Sequence, residues 1–182
     1  MDLLTHVFLP LTVVYVLRPA FFENPVAFGL AGFGLLPDFD KFLGTPGSLH
    51  SLVTVVPLCL LILAAERASR GEWRYAPVVT AFVGSHLVLD FIDGGPVPLV
   101  YPFFESGIGL QYPARTVFGA GPVGLWIEGP LVTMRIVAPQ PGYNTYGFLT
   151  GGGIAWALVF LVLFVVLERR DRGHRSFGSE PE

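Results

Sequence analysis

The sequence predicts an all-α polytopic membrane protein of about five transmembrane helices, and three observations predict it. The 182-residue chain is 52% hydrophobic and only 14% charged, with positive mean hydropathy, a balance far from that of a soluble domain of this size. Five apolar segments recur along it, at residues 3–17, 25–43, 50–66, 76–92 and 148–167. The positive charges fall unevenly between the connections, as they do when loops lie on opposite sides of a bilayer.

Residues 3–17 read as a retained helix. Met1-Asp2 is acidic where a signal peptide needs positive charge, and Arg18-Pro19 follows where a small-residue cleavage site would stand. The second segment ends in Leu35-Leu36-Pro37-Asp38-Phe39-Asp40, the third opens on His50-Ser51, and the fourth closes with Ser85-His86 and Asp90. At 1.5 Å per residue the first, third and fourth cover only about 23–26 Å. Such short spans suit helices buried against one another, or a polar site near the interface. Residues 1–92 thus form a four-helix membrane core. Residues 93–147 are rich in Gly, Pro and aromatics, and Pro96, Pro98, Pro102, Pro113, Pro122 and Pro130 forbid a long helix there. This reads as an extracytoplasmic or re-entrant segment, interfacial over Leu99 to Leu110 and with a short hairpin within Val117 to Val137. Residues 148–167 carry no charge and reach about 30 Å, enough to cross the hydrocarbon core. Residues 168–182 are a polar tail, in which His174 is solvated.

Orientation follows from the charges. With the tail cytoplasmic, that side holds Arg18, Arg67, Arg70, Arg74, Arg169, Arg170, Arg172 and Arg175, against Lys41, Arg115 and Arg135 outside. The expected topology in a cell membrane is N-terminus out, C-terminus in. His6, Asp38, Asp40, His50, His86 and Asp90, none of which entered that count, then all fall at the outer side at similar depth.

Ionisable groups in apolar spans are costly, roughly 2.5–3.5 kcal/mol at mid-helix, and usually functional. His86 and Asp90 share a helix face at i, i+4, and two carboxylates as close as Asp38 and Asp40 repel unless a cation or proton lies between them. Each feature alone has a plain structural reading, such as a packing histidine or a solvated turn. Together, three imidazoles and three carboxylates are the ligand set of one or two divalent ions, zinc foremost. The single cysteine, Cys59, rules out a disulfide framework and a thiolate site, and the net charge of −3 gives no sign of nucleic acid as a partner.

Thr5-His6, Leu36-Pro37-Asp38-Phe39-Asp40, His50-Ser51 and Ser85-His86-Leu87-Val88-Leu89-Asp90, in that order, resemble the motif series of the bacterial and archaeal inner-membrane metal-dependent hydrolases, also called LexA-binding membrane proteins. The resemblance covers residues 1 to about 104. It is more distantly similar to zinc-dependent phospholipase C and related single-strand nucleases, though a second His-x-x-x-Asp pair is missing. What the resemblance implies is a metal-dependent hydrolase at the membrane surface. His6, Asp40, His50, His86 and Asp90 would be metal ligands, Asp38 a bridging ligand or general base, and Ser51 and Ser85 would orient ligands. The expected partners are membrane lipids, with a lipid or small phosphoester as substrate. The competing reading is a proton or cation transporter, or a non-catalytic membrane protein with a structural metal site. Against a path, the inner stretch Leu58 to Ala65 carries no ionisable group.

Overall fold

A computed structural model describes residues 2–45, 47–93, 95–112, 114–117, 124–127, 129–136 and 149–177. Helix α1 spans Leu3–Leu17. It starts there because Asp2, in extended conformation, accepts the amide of Thr5 at 2.8 Å on its side chain. Pro10 lies inside α1; it lacks the N–H that would bond the carbonyl four residues back, that of His6. Gly34 lies against that same carbonyl, where a Cβ would stand 2.7 Å from the His6 oxygen. Only glycine allows two backbones to approach so closely.

The second expected span, 25–43, is not a continuous α-helix. It comprises a single turn α2 (Val26–Gly29), a nine-residue 3-10 stretch (Leu30–Asp38) and a second single turn α3 (Phe39–Phe42). Runs of 3-10 this long are uncommon; Gly29, Gly32, Gly34 and Pro37 weaken the α-helical alternative over these residues. The segment retraces α1: the Tyr15 ring lies 6.1 Å from that of Phe28 at one end, and Gly34 meets His6 at the other. Asp38 is thereby returned to the level of His6.

Helix α4 (Leu52–Arg70) is capped by Ser51 and stopped by Gly71 at φ 73°, a left-handed position that favours glycine. Helix α5 (Ala76–Ile92) follows, and its first amides are captured by α4. The Glu66 carboxylate accepts from the backbone N–H groups of Arg74, Tyr75 and Ala76 at 2.8–3.1 Å, tying the hairpin together at its tip. Helix α6 (Gly151–Phe177) packs along α1, with Phe160 and Phe164 5.6–5.8 Å from Tyr15. It runs on through the expected start of the polar tail; the side chain of His174, Phe148 and residues 178–182 lie outside the described residues.

Between α5 and α6 the structure departs from an all-α fold. Strand β1 (Ser106–Leu110) pairs antiparallel with β4 (Val132–Ile136), and β2 (Ala114–Val117) with β3 (Gly124–Ile127). The short hairpin expected within 117–137 is therefore divided. Val132–Ile136 is a strand, but its partner is Ser106–Leu110, part of the stretch expected to be interfacial. Gly107 and Gly109 face inward in β1; glycine at alternate positions hides the period-two pattern that marks a strand.

The core has two parts. Leu11, Tyr15, Phe22, Ala27, Val78 and Phe160 bury one another where α1, the 3-10 stretch, α5 and α6 meet, and Val55, Val83, Leu87 and Val97 do so between α4 and α5. Helices α4 and α6 each hold a stretch long and apolar enough to cross a membrane, Leu52–Arg70 and Gly151–Arg170, whereas α1 and α5 are shorter apolar helices. Only 6% and 11% of the two long windows is buried within the protein, so their apolar faces are not the core of a soluble fold.

Candidate metal centre

Six residues from five parts of the chain converge beside the junction of α1, α5 and the 3-10 stretch. His6 comes from the first turns of α1, Asp38 from the end of the 3-10 stretch, Asp40 from α3, His50 from just before α4, and His86 and Asp90 from α5. His6, Asp40, His50 and His86 are buried. Asp38 and Asp90 keep 26% and 18% of their side chains exposed, so access to the cluster is from the carboxylate side.

Each imidazole has its Nδ1 tied to an acceptor. His86 Nδ1 donates to the Gly34 carbonyl at 2.6 Å and His6 Nδ1 to the Asp2 carbonyl at 2.9 Å. His50 Nδ1 donates to Asp40 Oδ2 at 2.9 Å. A carbonyl oxygen can only accept, so in His6 and His86 the Nδ1 carries the proton and Nε2 holds the lone pair in the neutral ring. Such an acceptor on the far nitrogen is the usual support of a metal-ligating histidine.

The Nε2 atoms converge. His86 Nε2 lies 3.2 Å from His50 Nε2, 3.4 Å from Asp38 Oδ1 and 3.3 Å from Asp90 Oδ2. His50 Nε2 is 3.5 Å from both Asp38 Oδ1 and Asp90 Oδ2. A tetrahedral ion with bonds of ~2.0–2.1 Å separates its ligand atoms by about 3.3–3.4 Å, so these separations are those of tetrahedron edges. His6 approaches from the other side of Asp90: its Nε2 is 3.1 Å from Asp90 Oδ1, and its ring stacks on His86 at 3.9 Å. Atoms that could hold an ion form two overlapping sets, His6/His86/Asp90 and Asp38/His50/His86, each within 4.8 Å.

Asp40, expected as a ligand, belongs to neither set. Its Oδ2 accepts from His50 Nδ1 and from the amides of Gly47 and Leu49, while its Oδ1 has no hydrogen-bond partner among the described residues. It fixes the ring of His50. Ser51 donates to the carbonyls of Leu99 (3.1 Å) and Tyr101 (2.7 Å), and Ser85 to Phe82 (2.7 Å). Ser51 thus ties the start of α4 to the Leu99–Tyr101 stretch, and Ser85 bonds back within its own helical turn. Three contributors escaped the sequence reading: the Gly34 and Asp2 carbonyls, and Lys41, which forms an ion pair with Asp38. Asp2 as a helix cap before Leu3 and the Gly32/Gly34 spacing were the available signals.

The electrostatics match a site that needs a cation. Burial opposes charge on His50, but Asp38, Asp40 and Asp90 raise it from 6.5 to about 10. A positive charge on the His50 ring offsets the mutual repulsion of these carboxylates.

A family model described as YdjM inner membrane protein matches residues 1–174. The chain belongs to that family. The family's name agrees with the apolar helices and with the inner-membrane setting that the motif series implies, and it names no activity. No curated protein and no solved structure matches the chain.

Proposed function

We propose that the chain is a membrane-embedded, metal-dependent hydrolase, with one ion held by His50, His86 and Asp90. The observation that carries this is the His50–His86 pair: two Nε2 atoms 3.2 Å apart, with Nδ1 bonded elsewhere and carboxylate oxygens at tetrahedral distances. Two imidazoles and a carboxylate are a common catalytic zinc set, leaving the fourth position open. A divalent ion held there would lower the pKa of a bound water toward about 7 and polarise the bond to be cleaved.

The residues then divide the work. Asp38, the most exposed member of the cluster and 3.4–3.5 Å from both Nε2 atoms, accepts a proton from the attacking water. The water oxygen bonds to phosphorus of a phosphoester, the bond to the leaving alcohol oxygen breaks, and the proton on Asp38 passes to that oxygen. Lys41, ion-paired with Asp38, supplies positive charge for the anionic ester. Asp40 and Gly34 hold the two rings, and His6 holds the second oxygen of Asp90 or takes part in a second ion. The site opens on the extracytoplasmic side, with the N-terminus out and the C-terminus in; a C-terminal reporter active only outside would contradict that orientation.

The test is turnover of bis(p-nitrophenyl) phosphate by purified, zinc- or manganese-loaded protein. Asp38→Asn lowers turnover by about 100-fold or more, as loss of a general base does, while metal content is kept. A fully loaded protein that cleaves no phosphoester would overturn the reading. The His50–His86 contact is also compatible with a shared proton in a transport path; metal content separates the two.

A further inference from the structure

Helices α4 and α5 do not close against each other along their length. Between them lies a groove of about 550 Å³, walled by residues such as Leu52, Val56, Leu60, Thr80, Leu87 and Phe91, within the ~300–1,000 Å³ range of small-molecule sites. Every side chain that lines it except Thr80 is apolar. The end of the groove nearer the cluster follows from sequence. Leu52 follows His50-Ser51 directly, and Leu87 and Phe91 each follow a member of the cluster, His86 and Asp90. From Leu52 to Leu63 the groove runs eleven residues along α4, about 16 Å at 1.5 Å per residue. In sequence it therefore starts one residue from members of the candidate metal centre, and it extends along a helix long and apolar enough to span a membrane.

Gly84 keeps the groove open. It lies inside α5, where glycine is a poor helix former, and it lines the groove. A Cβ built there meets no atom within 4 Å, so no tight packing demands a glycine at this position. Close to the cluster in sequence, Phe39 and Phe42 of α3 stand 55% and 86% exposed on either side of Asp40-Lys41, as side chains that enter an interface do.

We infer that the α4–α5 groove seats one acyl chain of a membrane lipid whose anionic head is thereby delivered to Asp38, His50 and His86. This deepens the hydrolase reading and rests on it for the identity of the site, because it makes the substrate a lipid phosphoester and not a free one. The surrounding solvent of α4 is hydrocarbon, so an apolar cleft open to it fills with chains. Its upper end, at the cluster, is where a headgroup's phosphate would lie.

The test uses the full-length protein in vesicles of phosphatidylglycerol carrying a diazirine late in one acyl chain. Photolabelling concentrates on α4 and α5 peptides in the wild type. In Gly84→Phe, which fills the groove, it falls to the level found on the exposed face of α6. The same variant lowers kcat/KM for a phospholipid by about tenfold or more, through loss of binding remote from the reacting bond, and leaves turnover of bis(p-nitrophenyl) phosphate and metal content unchanged. Labelling spread evenly over α4, α5 and α6, or equal loss on lipid and soluble ester, would overturn the groove assignment. The photolabelling arm needs no catalysis, so a metal-free or inactive wild type that still labels α4 and α5 would sink the hydrolase reading and spare the groove.

Discussion

His50 and His86 present their Nε2 atoms to each other across 3.2 Å, and Asp40 and the Gly34 carbonyl hold the opposite nitrogens. Two neutral rings so arranged would set lone pair against lone pair. The contact is stable only with a positive charge between the rings, either a proton or a metal ion.

Asp40→Ala removes the acceptor of His50 Nδ1 without touching a proposed ligand atom. Metal affinity falls by about 10–100-fold, the usual loss when a ligating histidine loses its support. Competition against a fluorescent chelator measures it. Affinity equal to wild type would show that Asp40 does not orient His50.

Gly34→Ala places a methyl group 2.7 Å from the His6 carbonyl oxygen, a backbone atom that cannot swing aside. The 3-10 stretch must move away from α1, at a cost of about 1–3 kcal/mol, and the Gly34 carbonyl moves off His86. Thermal unfolding in detergent shows the loss of stability, and metal titration shows weaker binding in the same variant.

Glu66→Ala leaves the first amides of α5 without the carboxylate that now accepts from Arg74, Tyr75 and Ala76. Loss of a helix cap costs about 0.5–2 kcal/mol. Faster hydrogen exchange at Tyr75 and the residues of the first turn of α5, with the cluster's metal content intact, is the expected pattern.

Much of this was legible in the sequence, because spacing carries it. The i, i+4 relation of His86 and Asp90 survives as a 3.3 Å contact, and the helix ends at His6 and His50 lie where apolar runs begin. The segment 25–43 was not legible as 3-10, since hydropathy reports burial and not the hydrogen-bond pattern. The role of Asp40 was hidden for a different reason. Nothing in the sequence shows that a carboxylate ten residues before His50 accepts its Nδ1 and two backbone amides on one oxygen. The β1–β4 pairing joins residues more than twenty positions apart, across glycines that erase alternation.

The charge on His50 gives a pH signature. Without metal, its folded-state value of about 10 exceeds the unfolded 6.5, so the folded protein binds the proton more tightly. That stabilisation is complete below about pH 6.5 and is lost as pH rises through about 10. Metal reverses the trend, because ligation needs the unprotonated ring. Melting curves of chelator-treated and metal-loaded protein should therefore diverge as pH climbs from 6 to 10, the loaded form gaining on the stripped one. Parallel curves would indicate that His50 does not exchange a proton for an ion.

The central measurement is elemental analysis of purified full-length protein beside His50→Ala and His86→Ala variants that elute as wild type does. The account predicts close to one zinc or similar divalent ion per wild-type chain, or two if His6 takes part in a second site, and almost none in either variant. Wild-type protein that takes up no divalent ion, even after incubation with zinc, would contradict it and leave a proton between His50 and His86.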